Sequence, residues 1–233
     1  MIISMEDLSI FSTLLNYPIF NGLGKIDLEG IVSQTRFDFR KVGAGKTIAV
    51  VDSLCDRLFL LLSGTVEVIR NAADHGYVIT EKLSAPMLFQ TECLFGYQRR
   101  FTHTFIANTS VSVMTIDRDE VMRFMETYPV VRMNVINQLA ESLLKERSVV
   151  WKHQNSSLTD RLIAFISNHL IYKAGEKHIK IKMARLAYEL NASRLEISKV
   201  LNALDDLHMI KLGRGGFVVP KMELLLNYKS VIA

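Results

Sequence analysis

In residues 183–204, MARLAYELNASRLEISKVLNAL, two short apolar periodicities flank a polar break. Leu186, Ala187 and Leu190 recur at helical spacing before the break. Ile197, Val200, Leu201 and Leu204 do so after it, leaving Arg194, Leu195, Ser198, Lys199 and Asn202 on the opposite face of the second helix. Ser193 is placed to cap that helix, and Glu196, three residues on, completes an S-x-x-E capping box. Asn191 stands where the first helix needs a residue tolerant of left-handed backbone. The pattern predicts a helix-turn-helix with a polar, basic outer face; the competing reading is an ordinary αα-hairpin in a helical core.

Past Leu204, the β-rich runs at 209–212 and 216–219 flank Gly213-Arg214-Gly215, and Pro220 follows. This predicts a two-stranded wing, and a wing directly after two such helices favours the helix-turn-helix. Upstream, Leu162, Phe165, Ile166 and Leu170 form one face of an amphipathic helix behind the polar hinge Gln154-Asn155-Ser156-Ser157.

The rest of the chain divides by texture. Residues 6–35 read as short helices broken at Pro18 and at Gly22-Leu23-Gly24. From 35 to 116, short alternating runs are separated by turn residues, including a hairpin connection at 71–76, which predicts an antiparallel sandwich or roll. Asp117 is placed to cap a helix running to about Tyr128, and Pro129 opens a longer one. In that longer helix Met133, Ile136, Ala140, Leu143, Arg147 and Val150 alternate in steps of three and four, a heptad seam that favours a symmetric parallel dimer. A second stripe, Val131, Val135, Leu139 and Leu144, is expected to face the β-domain; an intradomain core helix is the alternative reading. The expected organisation is α+β: an antiparallel β-roll with N-terminal helices over 1–128, a dimerisation helix and hinge over 129–155, and a winged helix-turn-helix over 156–233.

At 233 residues and 49% hydrophobic, the chain can bury one or two sizeable cores. No apolar run approaches a membrane span, the N-terminus lacks the basic segment of a secretory signal, and the isolated Cys55 and Cys93 suit a reducing cytoplasm. The net charge of +4 is unevenly placed: residues 156–233 carry 12 Lys and Arg against 7 Asp and Glu, whereas residues 1–155 carry 16 against 17. The basic excess therefore sits with the helix-turn-helix, as nucleic-acid contact requires. The six histidines show no metal-ligand spacing, and no nucleophile elbow, Walker loop or dinucleotide fingerprint occurs, so no enzyme, metal or cofactor is expected.

Several landmarks fall in a specific order: Leu58-x-x-Leu61-x-x-Gly64-x-Val66-x-Val68, the long helix after Pro129, Asp160-Arg161-Leu162, Ser193-Arg194-x-x-Ile197-Ser198-Lys199, and then the wing. In these the chain resembles the Crp/Fnr family of bacterial transcription regulators over nearly its full length. The resemblance implies a cytoplasmic homodimer with an effector-sensing, cyclic-nucleotide-binding-like jelly roll. It also implies a palindromic duplex as partner, and RNA polymerase if the protein activates. Ser193, Arg194, Leu195, Ser198, Lys199 and Asn202 would face DNA, with Arg194 and Lys199 at positions that read guanines and Arg214 of the wing on the backbone. Cyclic-nucleotide-binding members carry Gly-Glu and, about ten residues later, Arg-Ser; here Gln90-Thr91-Glu92 and Arg100-Phe101-Thr102 stand instead. Cyclic AMP is therefore not expected, and Glu92, Arg99 and Arg100 are the candidate contacts for another small effector. The alternative function is a β-roll sensor whose C-terminal unit docks a protein.

Overall fold

The computed structural model describes residues 5–150 and 157–228, without the side chains of 5–9 and 145–150. In chain order the elements are α1 (Met5–Leu14), α2 (Lys25–Gln34), β1 (Phe37–Val42), β2 (Thr47–Ala49), β3 (Arg57–Ser63), β4 (Thr65–Asn71), β5 (Tyr77–Ser84), β6 (Met87–Leu88), β7 (Thr104–Ala107) and β8 (Val111–Asp117). The helical half follows with α3 (Arg118–Thr127), α4 (Pro129–Val150), α5 (Leu158–Asn168), β9 (Lys177–Ile181), α6 (Met183–Glu189), α7 (Arg194–Asp206), β10 (Lys211–Gly213), β11 (Gly216–Val219) and α8 (Met222–Asn227). The chain folds as two compact units, Met1–Val66 with Ser84–Leu143, and Glu67–Leu83 with Leu144–Ala233. Among the described residues, no helix is long and apolar enough to cross a membrane.

The first unit holds an antiparallel sheet in the order β1-β8-β3-β6, with β2 paired to β7. Central β8 is covered on both sides, so Val113, Met114, Thr115 and Ile116 are all buried rather than alternating. In the N-terminal helical segment Tyr17 donates its hydroxyl to the Leu61 carbonyl at 2.7 Å, and burial pushes that phenol up to about 12. Val131 and Val135 of α4 are buried in this unit, and Asn134 donates to the carbonyls of Ile19 and Asn21 at 3.1 and 2.7 Å. Two expectations change here. Asp117 occupies the N-cap position of α3, but its carboxylate pairs with Arg57 at 3.0 Å instead of capping. Leu144, expected against the β-domain, is exposed.

The second unit carries the sheet β10-β11-β9-β5-β4, so the β4–β5 hairpin extends the wing sheet through β9. Strand β9 pairs antiparallel with β5 from Tyr77↔Ile181 to Glu81↔Lys177, and with β11 on its other edge. Ile79 of the hairpin shares one core with Leu162, Ile166, Ile179, Ile197, Leu201 and Phe217. Strand β11 approaches β9 so closely at Gly216 that an added Cβ would lie 2.0 Å from the Ile179 carbonyl oxygen. Only glycine fits at that point.

Candidate nucleic-acid interface

Local sequence builds the helix-turn-helix. Helix α6 ends at Glu189 with Leu190 at its C-cap, and Asn191 beyond it, at a φ of 45°, carries the chain through the left-handed turn. Ser193 then caps α7: its hydroxyl accepts from the Glu196 amide at 3.2 Å, and the Glu196 carboxylate accepts from the Ser193 amide at 2.8 Å. The Ser193 hydroxyl also donates to that carboxylate at 2.7 Å, and this bond, with the one from the Ser193 amide, holds the Glu196 carboxyl below the usual range. Glu196 is thereby turned back onto the backbone and withdrawn from the outer face. Arg161 of α5 closes the turn from the other side, donating to the carbonyl of Leu190 at 2.7 Å. That bond satisfies an otherwise open carbonyl at the end of α6 and ties α5 to the turn.

The two faces of α7 separate cleanly. Ile197, Leu201 and Leu204 are buried and Val200 packs against them. Ser193, Arg194, Lys199 and Asn202 are exposed, Ser198 is half-buried, and Leu195 is 66% exposed. Asn202 donates to the Ser198 hydroxyl at 3.4 Å, so those two polar groups are mutually oriented. Arg214 is exposed at the tip of the β10–β11 wing, between strands joined from Lys211↔Val218 to Gly213↔Gly216. The helix thus carries guanidinium, ammonium, amide and hydroxyl groups on one open face, a set able to meet base edges and phosphates.

On α4, Met133, Ile136 and Leu143 are 51%, 46% and 51% exposed, and Ala140 lies open between them. Arg147 and Val150 continue the same helix, but their side chains lie outside the described residues, as do Gln154, Asn155 and Ser156 of the hinge. The seam is therefore an apolar stripe on the side of α4 opposite buried Val131 and Val135.

Glu92 and Arg100 are exposed and Arg99 half-buried; Arg100 donates to the Asp52 carbonyl, and among the described residues no ion pair joins either arginine to Glu92. Sequence reading missed the group that organises this region. Gln90 is buried, and its side-chain oxygen accepts from the amides of Thr102 and His103 at 3.0 and 3.1 Å while its amide donates to the Thr102 hydroxyl. Beside it, Phe89 stacks on Phe59 and Phe105 at centroid distances of 5.6 and 4.4 Å, and Phe101 meets Phe105 edge-on at 6.2 Å. Cys55 and Cys93 are buried here too, and burial pushes their thiols up to about 12 and about 11. No periodicity announces such a cluster, because its rings come from separate strands and loops.

Residues 39–128 match the family described as the cyclic nucleotide-binding domain. No curated protein matches the sequence. A solved structure from Eubacterium rectale, assigned to the Crp/Fnr family of transcriptional regulators, is 20% identical, covers 91% of this chain and 97% of its own, and superposes with a TM-score of 0.50. The Catabolite Activator Protein of Thermus thermophilus is 22% identical over 90% of this chain and 97% of its own, with a TM-score of 0.48. FixK2 from Bradyrhizobium japonicum is 13% identical over 85% of this chain and 100% of its own, with a TM-score of 0.47. By fold, then, the chain is Crp/Fnr-like, with a cyclic nucleotide-binding-type roll followed by a winged helix-turn-helix.

Proposed function

We propose that the protein is a cytoplasmic, sequence-specific DNA-binding transcription regulator of the Crp/Fnr type. In this reading it acts as a homodimer on a palindromic operator and answers to a signal through the roll. The observation that carries the reading is the open polar face of α7, set by a closed capping box on one side and a buried apolar face on the other, with Arg214 of the wing beyond it. Arg194 and Lys199 are suited to guanine edges, and Leu195, which cannot accept a hydrogen bond, to a thymine methyl. If the protein activates, RNA polymerase is the further partner.

Selection of bound sites from random duplexes tests this directly. On the selected site, Arg194→Ala is expected to cost about 1–3 kcal/mol and to relax discrimination at one base pair. Equal weakening on specific and random duplexes would show Arg194 to be a phosphate anchor instead. Wild-type affinity should also fall steeply with salt, as counterion release demands; a salt-independent interaction would favour protein docking by the C-terminal unit.

The roll is expected not to take cyclic AMP or cyclic GMP. Thr91, directly before Glu92, stands where the Gly-Glu pair has the glycine that lets the backbone approach a phosphate, so that close approach is lost. Calorimetry should register no saturable heat with either nucleotide, and micromolar binding would overturn this assignment.

A further inference from the structure

The DNA-reading unit is not made from the C-terminal sequence alone. Residues 67–83, which leave and re-enter the first unit at 66/67 and 83/84, fold with the second. They supply two strands of its sheet, Ile79 of its core and a charge that its interior requires. That charge is Glu81, which pairs with Lys177 of β9 at 3.0 Å, both side chains 0% exposed. The remaining capacity of the Glu81 carboxylate is taken by the amides of Ile171 and Tyr172, at 2.7 and 3.2 Å, just beyond the C-terminus of α5. A buried ammonium without its counter-ion is costly, so Lys177 cannot remain inside the unit if Glu81 leaves.

Around this pair the hairpin makes further contacts with the same unit. Tyr77 bonds the His169 ring at 2.7 Å, and Arg70 donates to the His169 carbonyl at 2.8 Å. Asp74 in the hairpin turn, oriented by the Gly76 amide at 3.0 Å, pairs with Arg185 of α6 at 2.7 Å. The hairpin therefore touches the end of α5, β9 and the first helix of the helix-turn-helix. None of its contacts covers the outer face of α7, which stays exposed.

We infer that Glu81 is a positioning residue for DNA reading: through Lys177 it holds the β4–β5 hairpin in the winged-helix sheet, and the docked hairpin is the DNA-competent state. The inference rests on the proposed DNA-binding role, but the docking is measured separately from it. Displacement of the hairpin opens β9, which connects α5 to α6, and so loosens the frame on which α7 is set. Any signal that pulls on residues 66/67 or 83/84 then reaches the DNA-reading unit through its own sheet.

The test uses the full chain, with hydrogen exchange at residues 177–181 and affinity for the selected duplex as paired readouts. Glu81→Gln keeps one acceptor oxygen, enough for the shorter bond from the Ile171 amide, but puts an NH2 group where the second oxygen took Tyr172 and leaves Lys177 without its counter-ion. It is expected to speed exchange across β9 and to weaken duplex binding about tenfold or more. Adding Lys177→Met, which removes the stranded charge, should return both readouts to within about threefold of wild type, a rescue that a generally damaged fold would not show. Wild-type exchange and affinity in Glu81→Gln would overturn the inference, as would failure of the double variant to recover. Should Glu81→Gln not fold, Val78→Cys with Lys180→Cys, a cross-strand pair, provides a reversible staple. Its oxidised form must bind duplex as well as its reduced form, and loss of binding on oxidation would show that the docked hairpin is not the competent state. If wild type binds no duplex while exchange still follows the Glu81–Lys177 pair, the DNA-reading role fails and the docking stands.

Discussion

Leu143→Glu is expected to break the proposed homodimer. Leu143 sits at the distal part of the exposed seam that begins at Met133 and Ile136, where about half of each side chain faces water in the single chain. Covering such a stripe with its symmetry mate removes apolar surface from water at about 25 cal/mol per Å², and no other described element of the chain covers it. In a parallel pair, glutamates at this position lie close to the two-fold axis, where two like charges are desolvated together. The expected loss is a few kcal/mol of association free energy. Sedimentation at low concentration provides the measurement: wild type should remain dimeric where the variant runs as a monomer. A variant that stays dimeric would move the interface elsewhere on the chain. DNA affinity should fall with the dimer, because two linked half-sites bind far more tightly than either one alone.

Gly216→Val is expected to cost about 3 kcal/mol or more of stability in the winged-helix unit, through steric overlap rather than backbone strain. The new Cβ would fall 2.0 Å from the Ile179 carbonyl oxygen and 3.0 Å from the Lys180 Cα, both backbone atoms of a central strand that cannot swing aside. Relief requires β11 and β9 to part, which breaks the register from Gly216↔Lys180 to Val219↔Lys177. Gly213→Ala is the control: its Cβ meets nothing nearer than the Gly216 carbonyl oxygen at 3.8 Å, so its effect should stay within about 0.5 kcal/mol. Denaturant midpoints for the two variants decide the matter, and a midpoint for Gly216→Val equal to wild type would rule out the overlap.

The helix-turn-helix was legible because its determinants are local. Ser193 and Glu196 are three residues apart, Asn191 adopts the left-handed conformation that its side chain tolerates, and the inward face of α7 repeats at helical spacing. Where a determinant is distant, local reading went wrong or fell silent. Asp117 has the composition of a cap, yet Arg57, sixty residues earlier in the chain, takes its carboxylate. Strand β9 shows apolar alternation only at Ile179 and Ile181, because its third inward position is Lys177, whose burial makes sense only beside Glu81. The same pairing explains why residues 67–83, which read as an ordinary roll hairpin, fold with the C-terminal unit. In the roll, nothing local announces that neutral Gln90 is buried and joins Thr102 and His103, twelve and thirteen residues on. The seam on α4 was visible as a heptad, but the depth of its companion stripe was not: Val131 and Val135 are buried, and Leu144 is not.

The two thiols of the roll bear on the chemistry of handling this protein. With Cys55 at about 12 and Cys93 at about 11, roughly one thiol in ten thousand or fewer is ionised at pH 7, and both are buried as well. Alkylating reagents and mild peroxide, which attack thiolates, should therefore react with the native chain far more slowly than with an ordinary surface cysteine. A single cysteine introduced on α7 or at the wing tip would be labelled almost exclusively, without first replacing the native pair. Fluorophores or spin labels placed that way would report on α7 during a test of the proposed duplex binding, in a chain otherwise unchanged.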